Sequence, residues 1–155
     1  MHVIAGKAAG FGEALTEEFK FYTKNIVNNA QILSKTMMKR GINIISGGTD
    51  NHIVLVDLRN FKISGNVCEE ALERSGIACN KNGVPFDNAP PTITSGIRLG
   101  SSAATTRGLG AEEFEVLGNL ISEVILGFRK NISNENVEKK VKKEIIEICN
   151  KYPIY

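Results

Sequence analysis

The 155-residue sequence lacks the features expected of a membrane protein or of a disulfide-stabilised one. Its three cysteines, Cys68, Cys79 and Cys149, are widely spaced and form no Cys-x-x-Cys pair, which argues against a disulfide framework and favours a reducing compartment. No apolar run is long enough to span a bilayer, and the first residues lack the basic lead and long apolar core of a signal peptide. We therefore expect a cytoplasmic protein that does not interact with membranes.

A strong charge imbalance and the common catalytic motifs are also missing. The formal net charge of +2 is too small to indicate nucleic-acid binding. Glycines in the first twelve residues fit neither phosphate-loop spacing, and no nucleophile-elbow pattern is present. Of Asp50, His52 and Asp57, only the first two lie on a compatible side, and two ligands do not make a zinc site. The chain has polar binding residues without a complete catalytic set.

What the sequence does contain is a pattern of helices around a few strands. Apolar residues recur at steps of three and four from Leu15 to Met37, which predicts a long amphipathic helix that stops at Gly41. Strands are predicted at 42–46, 52–58 and 77–80 and around Ile97. Shorter helices are predicted at 64–74, 114–128 and 137–148, the first capped by Ser64 and the last by Ser133 or Asn134. Helices that bracket a small set of strands indicate a two-layer α/β fold.

The stretch from Thr94 to Gly108 contains the main candidate binding residue. Arg98 lies between Ile97 and Leu99, so a strand would point it away from both neighbours. Gly96 and Gly100 leave room for the close approach of a packed backbone or a ligand. A guanidinium presented in this way offers a planar fork that fits a carboxylate in two parallel bonds. A structural ion pair with an Asp or Glu elsewhere is the alternative that the pattern alone favours.

A second candidate lies next to a proline-rich loop. Residues 81–91 hold three of the four prolines, whose fixed φ angles stiffen the segment. A polar side chain such as that of Asn82 can then be held in one place. A capping or turn asparagine is the alternative.

Four motifs resemble the serine hydroxymethyltransferase family, in that family's order and spacing. They are Met1-His2-Val3-Ile4-Ala5-Gly6-Lys7-Ala8, Ser46-Gly47-Gly48-Thr49-Asp50-Asn51-His52 with Leu55-Val56-Asp57-Leu58, Asn80-Lys81-Asn82 with Val84-Pro85, and Thr94-Ser95-Gly96-Ile97-Arg98. The resemblance extends along nearly the whole chain and covers the carboxyl-terminal third or so of the family's sequences. It implies that residues 1–40 are the end of a large domain and a long connecting helix. Residues 41–155 would then be the small carboxyl-terminal α/β domain, of the two-layer α+β type, of a fold-type-I pyridoxal phosphate-dependent transferase, with a small, mostly antiparallel sheet.

The resemblance also implies a function. Enzymes of this family use pyridoxal phosphate to move the hydroxymethyl carbon of serine to tetrahydrofolate, giving glycine and methylenetetrahydrofolate. The family's matching arginine clamps the amino-acid carboxylate, which implies that role for Arg98, and its matching asparagine contacts the folate, which implies that role for Asn82. Four further residues are interpreted as shaping the backbone near the site: Gly48, Thr49, Ser95 and Gly96. The family is homo-oligomeric, and we expect no metal and no nucleic-acid partner.

The family's catalytic residues have no match in this sequence. Its Schiff-base lysine lies in a Thr-Lys-His context, whereas the only Thr-Lys pair here, Thr23-Lys24, is followed by Asn25. The histidine that stacks on the cofactor and the aspartate at the pyridine nitrogen also lie upstream of the resemblance, and without them the cofactor chemistry is not supported. We therefore expect no catalytic residue in this chain and no activity of the chain alone. Because Met1 falls on an internal methionine of the family, we expect a split or truncated reading frame or an internal start. Supply of an amino-terminal half in trans is an alternative that the sequence leaves open.

Two other interpretations stay open. A non-catalytic remnant would fold, and bind a partner chain, without chemistry. The small domain of another fold-type-I enzyme, such as an aminotransferase, would also supply a carboxylate-binding arginine, although residues 47–50 and 80–82 argue against it.

The family commonly has a proline where this chain has Ser102, a change that frees the backbone after Arg98.

Overall fold

The computed structural model describes residues 1–129 and 134–154. In these residues, six helices and four strands are interspersed along the chain. The helices are α1 (His2–Ala14), α2 (Glu17–Lys39), α3 (Gly65–Arg74), α4 (Ser102–Thr106), α5 (Ala111–Gly127) and α6 (Glu135–Lys151). The strands are β1 (Asn43–Ile44), β2 (Ile53–Asp57), β3 (Asn80–Asn82) and β4 (Gly96–Gly100). Short 3-10 turns at Ile45–Gly47 and Arg59–Phe61 follow β1 and β2.

The four strands form one sheet in the order β1-β2-β4-β3, and every neighbouring pair is antiparallel. In the central pair, Val54 lies opposite Leu99 and Val56 opposite Ile97, and all four side chains are buried. Since side chains alternate between the two faces of a strand, these residues define an inner face that packs into the core. Arg98 lies on the other face, called here the outer face. The predicted α/β fold with an antiparallel sheet is confirmed.

Helices cover the inner face of the sheet. The apolar stripe of α2 is buried at Ile26, Ala30, Leu33 and Met37, as the three- and four-residue spacing predicts. Thr16 caps this helix, because its hydroxyl accepts a hydrogen bond from the Phe19 amide at 3.2 Å. Buried residues of α3, α5 and α6 complete the core: Cys68, Ala71, Leu72, Phe114, Leu120, Ile121, Val124, Ile125, Val141 and Ile145.

Buried polar contacts join α2 to the end of β4. The Ser101 hydroxyl, which is fully buried, donates to the Ile26 carbonyl at 2.8 Å. The Asn29 amide donates to the Thr105 hydroxyl at 2.9 Å and to the Leu109 carbonyl at 3.2 Å. The long helix therefore packs as part of the unit that contains the sheet. By contrast, α1 buries none of its residues. The division of the chain at residue 40 stays a prediction.

Several predicted boundaries are wrong at the ends of elements. Leu15 lies outside α2 and is 79% exposed, because the helix starts after the Thr16 cap. The residues before it form a separate helix, α1, which the sequence analysis did not predict. The first strand is only two residues long, since Ser46 has a φ of 61° and turns the chain away from the sheet. The third strand is Asn80–Asn82 rather than 77–80, because only those residues pair with β4.

The predicted helix caps also differ from the structure. Ser64 precedes α3, and its hydroxyl makes no capping bond to the helix. Ser133 lies outside the described residues. Asn134 stands at the cap position of α6 without a side-chain capping bond, and its amide donates instead to the Val124 carbonyl at 2.8 Å. In the described part of the chain, no helix is both long enough and apolar enough to cross a membrane.

The contact between α2 and α5 depends on a glycine. A Cβ atom added to Gly118 would lie 2.9 Å from Thr36 Cβ and 3.4 Å from the Leu33 carbonyl oxygen.

We expect Gly118→Ala to lower the free energy of unfolding by about 1–3 kcal/mol through overpacking, although alanine is the better helix former by about 1 kcal/mol. Denaturant unfolding measures the change. Glu115→Ala, on the exposed side of the same helix, is the control and should stay within about 0.5 kcal/mol of the unaltered chain. Equal or greater stability of Gly118→Ala would contradict the packing argument.

Candidate functional site

Arg98 is exposed on the outer face of the sheet, with Leu55 of β2 opposite it on one side and Asn80 of β3 on the other. Its neighbours Ile97 and Leu99 are buried and hold the strand in place. Among residues 1–129 and 134–154, no carboxylate lies within ion-pair distance of its guanidinium. The structural ion pair that the pattern alone favoured is therefore absent from the described part of the chain.

The carboxylate that β2 carries on its outer face, that of Asp57, is engaged elsewhere. Asp57 is buried and receives a two-point contact from Arg59, with Nη2 to Oδ2 at 2.7 Å and Nε to Oδ1 at 3.0 Å. Asn43 donates to the same carboxylate at 3.2 Å. The hydrogen bond from Arg59 is the main reason why the pKa of Asp57 lies below its ordinary value. Asp57 is thus already compensated and leaves the positive charge of Arg98 free for a ligand.

A groove of about 410 Å³ opens beside Arg98, where β3 begins and β4 continues to Gly100. Its lining consists of His52, Ile53, Ala78, Cys79, Asn80, Arg98, Leu99 and Gly100. Burial raises the pKa of the Cys79 thiol to about 12, so this cysteine is protonated at neutral pH and is a poor nucleophile. No lysine, aspartate or glutamate belongs to this lining. The groove can therefore bind an anion through hydrogen-bond donors, and it lacks the lysine that would hold a pyridoxal cofactor covalently.

Asn82 and Gly96 lie opposite each other on β3 and β4, on the same face as Arg98. Asn82 is a diagonal neighbour of Arg98, and residues in such positions are typically about 7–8 Å apart, within reach of long side chains. A Cβ atom on Gly96 would lie 2.5 Å from the Val56 carbonyl oxygen and 2.6 Å from Val84 Cγ1. Atoms of the protein itself thus fill the space beside Gly96. A glycine is needed here for packing of the strand, and the position offers no open room for a ligand.

Asp87 ties the proline-rich loop to the start of β4, a role that the sequence analysis missed. Its Oδ1 accepts from the Ser95 hydroxyl at 2.7 Å and the Ala89 amide at 2.9 Å. Its Oδ2 accepts from the Ser95 amide at 2.8 Å and the Val84 amide at 3.2 Å. The loop between Asn82 and Ser95 is therefore closed by one carboxylate. An aspartate beside prolines is a common turn former, which is the only local signal for this role.

Gly48 and Thr49 lie at a different place, in the loop that follows β1. They line a second groove, of about 710 Å³, between this loop and α2. The Thr49 hydroxyl donates to the Ile53 carbonyl at 2.6 Å and so shapes the start of β2. Gly47 and Gly48 have φ angles of 67° and 149°, and a Cβ atom at either would meet nothing within 4 Å. Glycine is needed at these two positions for the backbone conformation. The role of Gly48 and Thr49 in shaping the site around Arg98 stays a prediction.

The predicted site residues are thus only partly brought together. Arg98 and Asn82 share the outer face, Ser95 and Gly96 lie at the start of β4, and the loop residues line the neighbouring groove. Within the described residues, no group of three or more His, Cys, Asp or Glu side chains could hold a metal ion.

Comparisons with known proteins agree on one family. The family model described as "Serine hydroxymethyltransferase" matches residues 1–121. The chain is 54% identical over 156 residues to the serine hydroxymethyltransferase of Paramagnetospirillum magneticum and 56% identical over 155 residues to that of Wolbachia pipientis wMel. It is 53% identical over 156 residues to serine hydroxymethyltransferase 2 of Burkholderia mallei. All of this chain is covered in each case, but only 36%, 36% and 37% of the three relatives. The chain therefore spans about a third of the length of the curated relatives it matches.

The four hydrogen bonds that Asp87 accepts predict how stability changes with pH. The Ala89 amide, the Ser95 hydroxyl and the other two donors hold the pKa of Asp87 well below its ordinary value of 3.8. A carboxyl group whose pKa is lowered on folding contributes stability above its unfolded pKa and loses it as the pH falls toward the folded value. Asp87→Asn should therefore lower the free energy of unfolding at pH 7, because an amide offers only one oxygen to the four donors.

Denaturant unfolding across pH tests this prediction. The gap in stability between the unaltered chain and Asp87→Asn should be widest above about pH 5 and narrow as the pH falls below the ordinary aspartate pKa. Asp50→Asn, in an exposed turn, is the matched control and should change the free energy of unfolding little at pH 7. A gap that stayed constant down to strongly acidic pH would show that Asp87 is not ionised and hydrogen-bonded as described.

Proposed function

Because this chain belongs to the serine hydroxymethyltransferase family, we propose that it forms the amino-acid and folate binding part of an enzyme that interconverts serine plus tetrahydrofolate with glycine plus 5,10-methylenetetrahydrofolate. The observation that carries the proposal is the guanidinium of Arg98, which is exposed beside a groove and has no ion-pair partner in the described residues. The enzyme as a whole acts in the cytoplasm, in keeping with three cysteines that form no disulfide in the structure.

Arg98 binds the carboxylate of serine or glycine in this proposal. A guanidinium fork and a carboxylate form two parallel charge-assisted hydrogen bonds, which set the direction as well as the position of the substrate. The buried side chains of Ile97 and Leu99 fix the backbone from which the fork extends. A carboxylate held in this way fixes the bonds at the neighbouring Cα, and such orientation is one of the larger contributions an enzyme makes to rate.

Asn82 contacts the folate in this proposal. Its side chain donates to the Gly83 carbonyl at 2.8 Å, which leaves the amide oxygen and one N–H for a ligand. The loop that starts at Gly83 is closed by Asp87, so the position of Asn82 relative to Arg98 is set within the chain. As diagonal neighbours on β3 and β4, typically about 7–8 Å apart in such pairs, the two residues place the folate contact next to the carboxylate contact in this proposal.

Pyridoxal phosphate supplies the electron sink for the bond changes at Cα in this family, and in this proposal the lysine that holds it lies outside this chain. The Arg98 groove has no lysine in its lining, and the Thr-Lys-His context is absent from the sequence. We therefore assign no step of the reaction to a residue of this chain beyond substrate binding. The lysine, histidine and aspartate that act on the cofactor come from the part of the enzyme that the relatives have and this chain does not span.

The surface of α1 is where that remaining part binds. Val3, Ile4 and Phe11 are 56%, 63% and 70% exposed, and Phe21 at the start of α2 is 68% exposed. No residue of α1 is buried by the rest of the described chain. Contiguous exposed apolar residues mark interaction surfaces, and the missing two thirds of the relatives' length provides the occupant. The complete enzyme is a homo-oligomer, as in the family.

A complementation experiment tests the proposed function. The purified chain is mixed with a protein that corresponds to the remaining two thirds of the Wolbachia pipientis relative, and glycine formation from serine with tetrahydrofolate is measured. We expect no glycine from the chain alone, and glycine together with the absorbance of bound pyridoxal phosphate from the mixture. Glycine formed by the chain alone would refute its inactivity. A mixture that associates in size-exclusion chromatography but forms no glycine would favour a non-catalytic remnant.

Arg98→Lys in the complemented enzyme tests the role of the guanidinium. A lysine keeps the charge but cannot form two parallel bonds, so the KM for serine should rise roughly tenfold or more, since tenfold corresponds to about 1.4 kcal/mol. Arg40→Lys, an exposed residue after α2, is the matched control and should leave the KM unchanged. Steady-state kinetics with varied serine measures both. An unchanged KM in Arg98→Lys would exclude Arg98 from substrate binding.

A further inference from the structure

We propose that Asn80 is a second residue that binds the substrate carboxylate, next to Arg98. The proposal rests on the proposed function, because it assumes that the groove beside Arg98 takes a carboxylate. Neither the motif spacing nor the comparisons single out Asn80 for this role. Three features support this role: the cross-strand register, the hydrogen bonds of β3 and the number of bonds that a carboxylate can accept.

The register places the two side chains directly beside each other. Asn80 of β3 lies opposite Arg98 of β4, and directly opposed residues in an antiparallel pair have Cβ atoms about 4.5–5.5 Å apart. Both residues are exposed and both line the groove of about 410 Å³. Any anion that reaches the guanidinium in this groove is therefore within reach of the Asn80 amide.

The hydrogen bonds of β3 leave Asn80 free while they hold the strand. Lys81, on the inner face, donates its Nζ to Glu69 Oε2 at 2.8 Å and its backbone amide to Glu69 Oε1 at 3.0 Å. Asn82 donates to the Gly83 carbonyl. In the described part of the chain, no side-chain hydrogen bond engages the Asn80 amide. The strand is thus anchored to α3 through Glu69, and its one exposed amide without a partner faces the groove.

Carboxylate chemistry gives this amide a specific role. An ionised carboxylate offers about four lone-pair sites to hydrogen-bond donors, and the guanidinium fork takes two of them. The Asn80 amide can donate to a third site and so resist rotation of the carboxylate about the axis of the fork. A neutral residue is required here, because an aspartate at this distance would itself pair with Arg98 and cancel the charge that attracts the substrate.

The test uses the full 155-residue chain and sodium acetate as the carboxylate probe. Side-chain NMR signals of Asn80 and Arg98 are followed during titration with acetate at constant ionic strength, with sodium chloride as the matched salt. We expect saturable shifts of both signals with one dissociation constant. Asn80→Ala should weaken acetate binding about fivefold, as expected for one hydrogen bond. Asn80→Asp should weaken it more than Asn80→Ala, because the new carboxylate competes for Arg98.

The design separates this proposal from the proposed function. Asn60→Ala, at an exposed turn residue, is the matched control and should leave the dissociation constant unchanged. Unchanged backbone signals of Ile97 and Leu99 in each variant establish that the sheet is intact. If Asn80→Ala perturbs the sheet, Asn80→Ser replaces it in the titration. Acetate binding that needs Arg98 but is the same in all Asn80 variants would overturn the role of Asn80 alone. Acetate binding that is unaffected by Arg98→Ala would overturn the proposed function of the groove.

Discussion

The pairing of β2 with β4 is the interaction on which the rest of the structure depends. It buries Val54, Val56, Ile97 and Leu99 on one face of the sheet and leaves Arg98 on the other. Because side chains alternate with a period of two, a slip of one residue would bury the guanidinium and expose the apolar side chains. The cost of such a slip explains why a polar binding surface can be built directly on the back of a hydrophobic core. The helices bury the inner face, and Arg98 stays exposed on the outer face.

Electrostatic compensation inside the chain decides which charge is available to a ligand. Asp57 is paired with Arg59, and Asp87 accepts four hydrogen bonds from its own loop and from Ser95. Both carboxylates near the start of β4 are therefore satisfied without Arg98. An exposed guanidinium next to compensated carboxylates is a binding group that needs little reorganisation, since no internal ion pair has to break when an anion binds.

Sequence reasoning predicted the outward direction of Arg98 correctly, because alternation in a strand depends only on local geometry. The stripe of α2 was predicted for the same reason, and the resemblance of four motifs identified the family. The contacts of Asp87 and the position of Asn80 opposite Arg98 were not predicted. Asp87 acts on Ser95, eight residues away along the chain, through a loop whose closure depends on specific turn conformations. Asn80 lies opposite Arg98 in the register of β3 with β4. That pairing was not predicted, because β3 starts three residues later than its apolar pattern indicates.

The sequence by itself determined which faces of α2, β2 and β4 turn toward the core, since the periods of helices and strands follow from backbone geometry and from the burial of apolar side chains. It also determined the family, through long motifs in a constant order. Only the tertiary structure decided which polar groups are satisfied within the chain. The strand order β1-β2-β4-β3 places β4 between strands that precede it in the sequence, and no local pattern specifies the register of such pairs. Because a hydrogen bond forms only within a few ångströms, that register decides which residues of different strands can reach each other, as it places Asn80 beside Arg98.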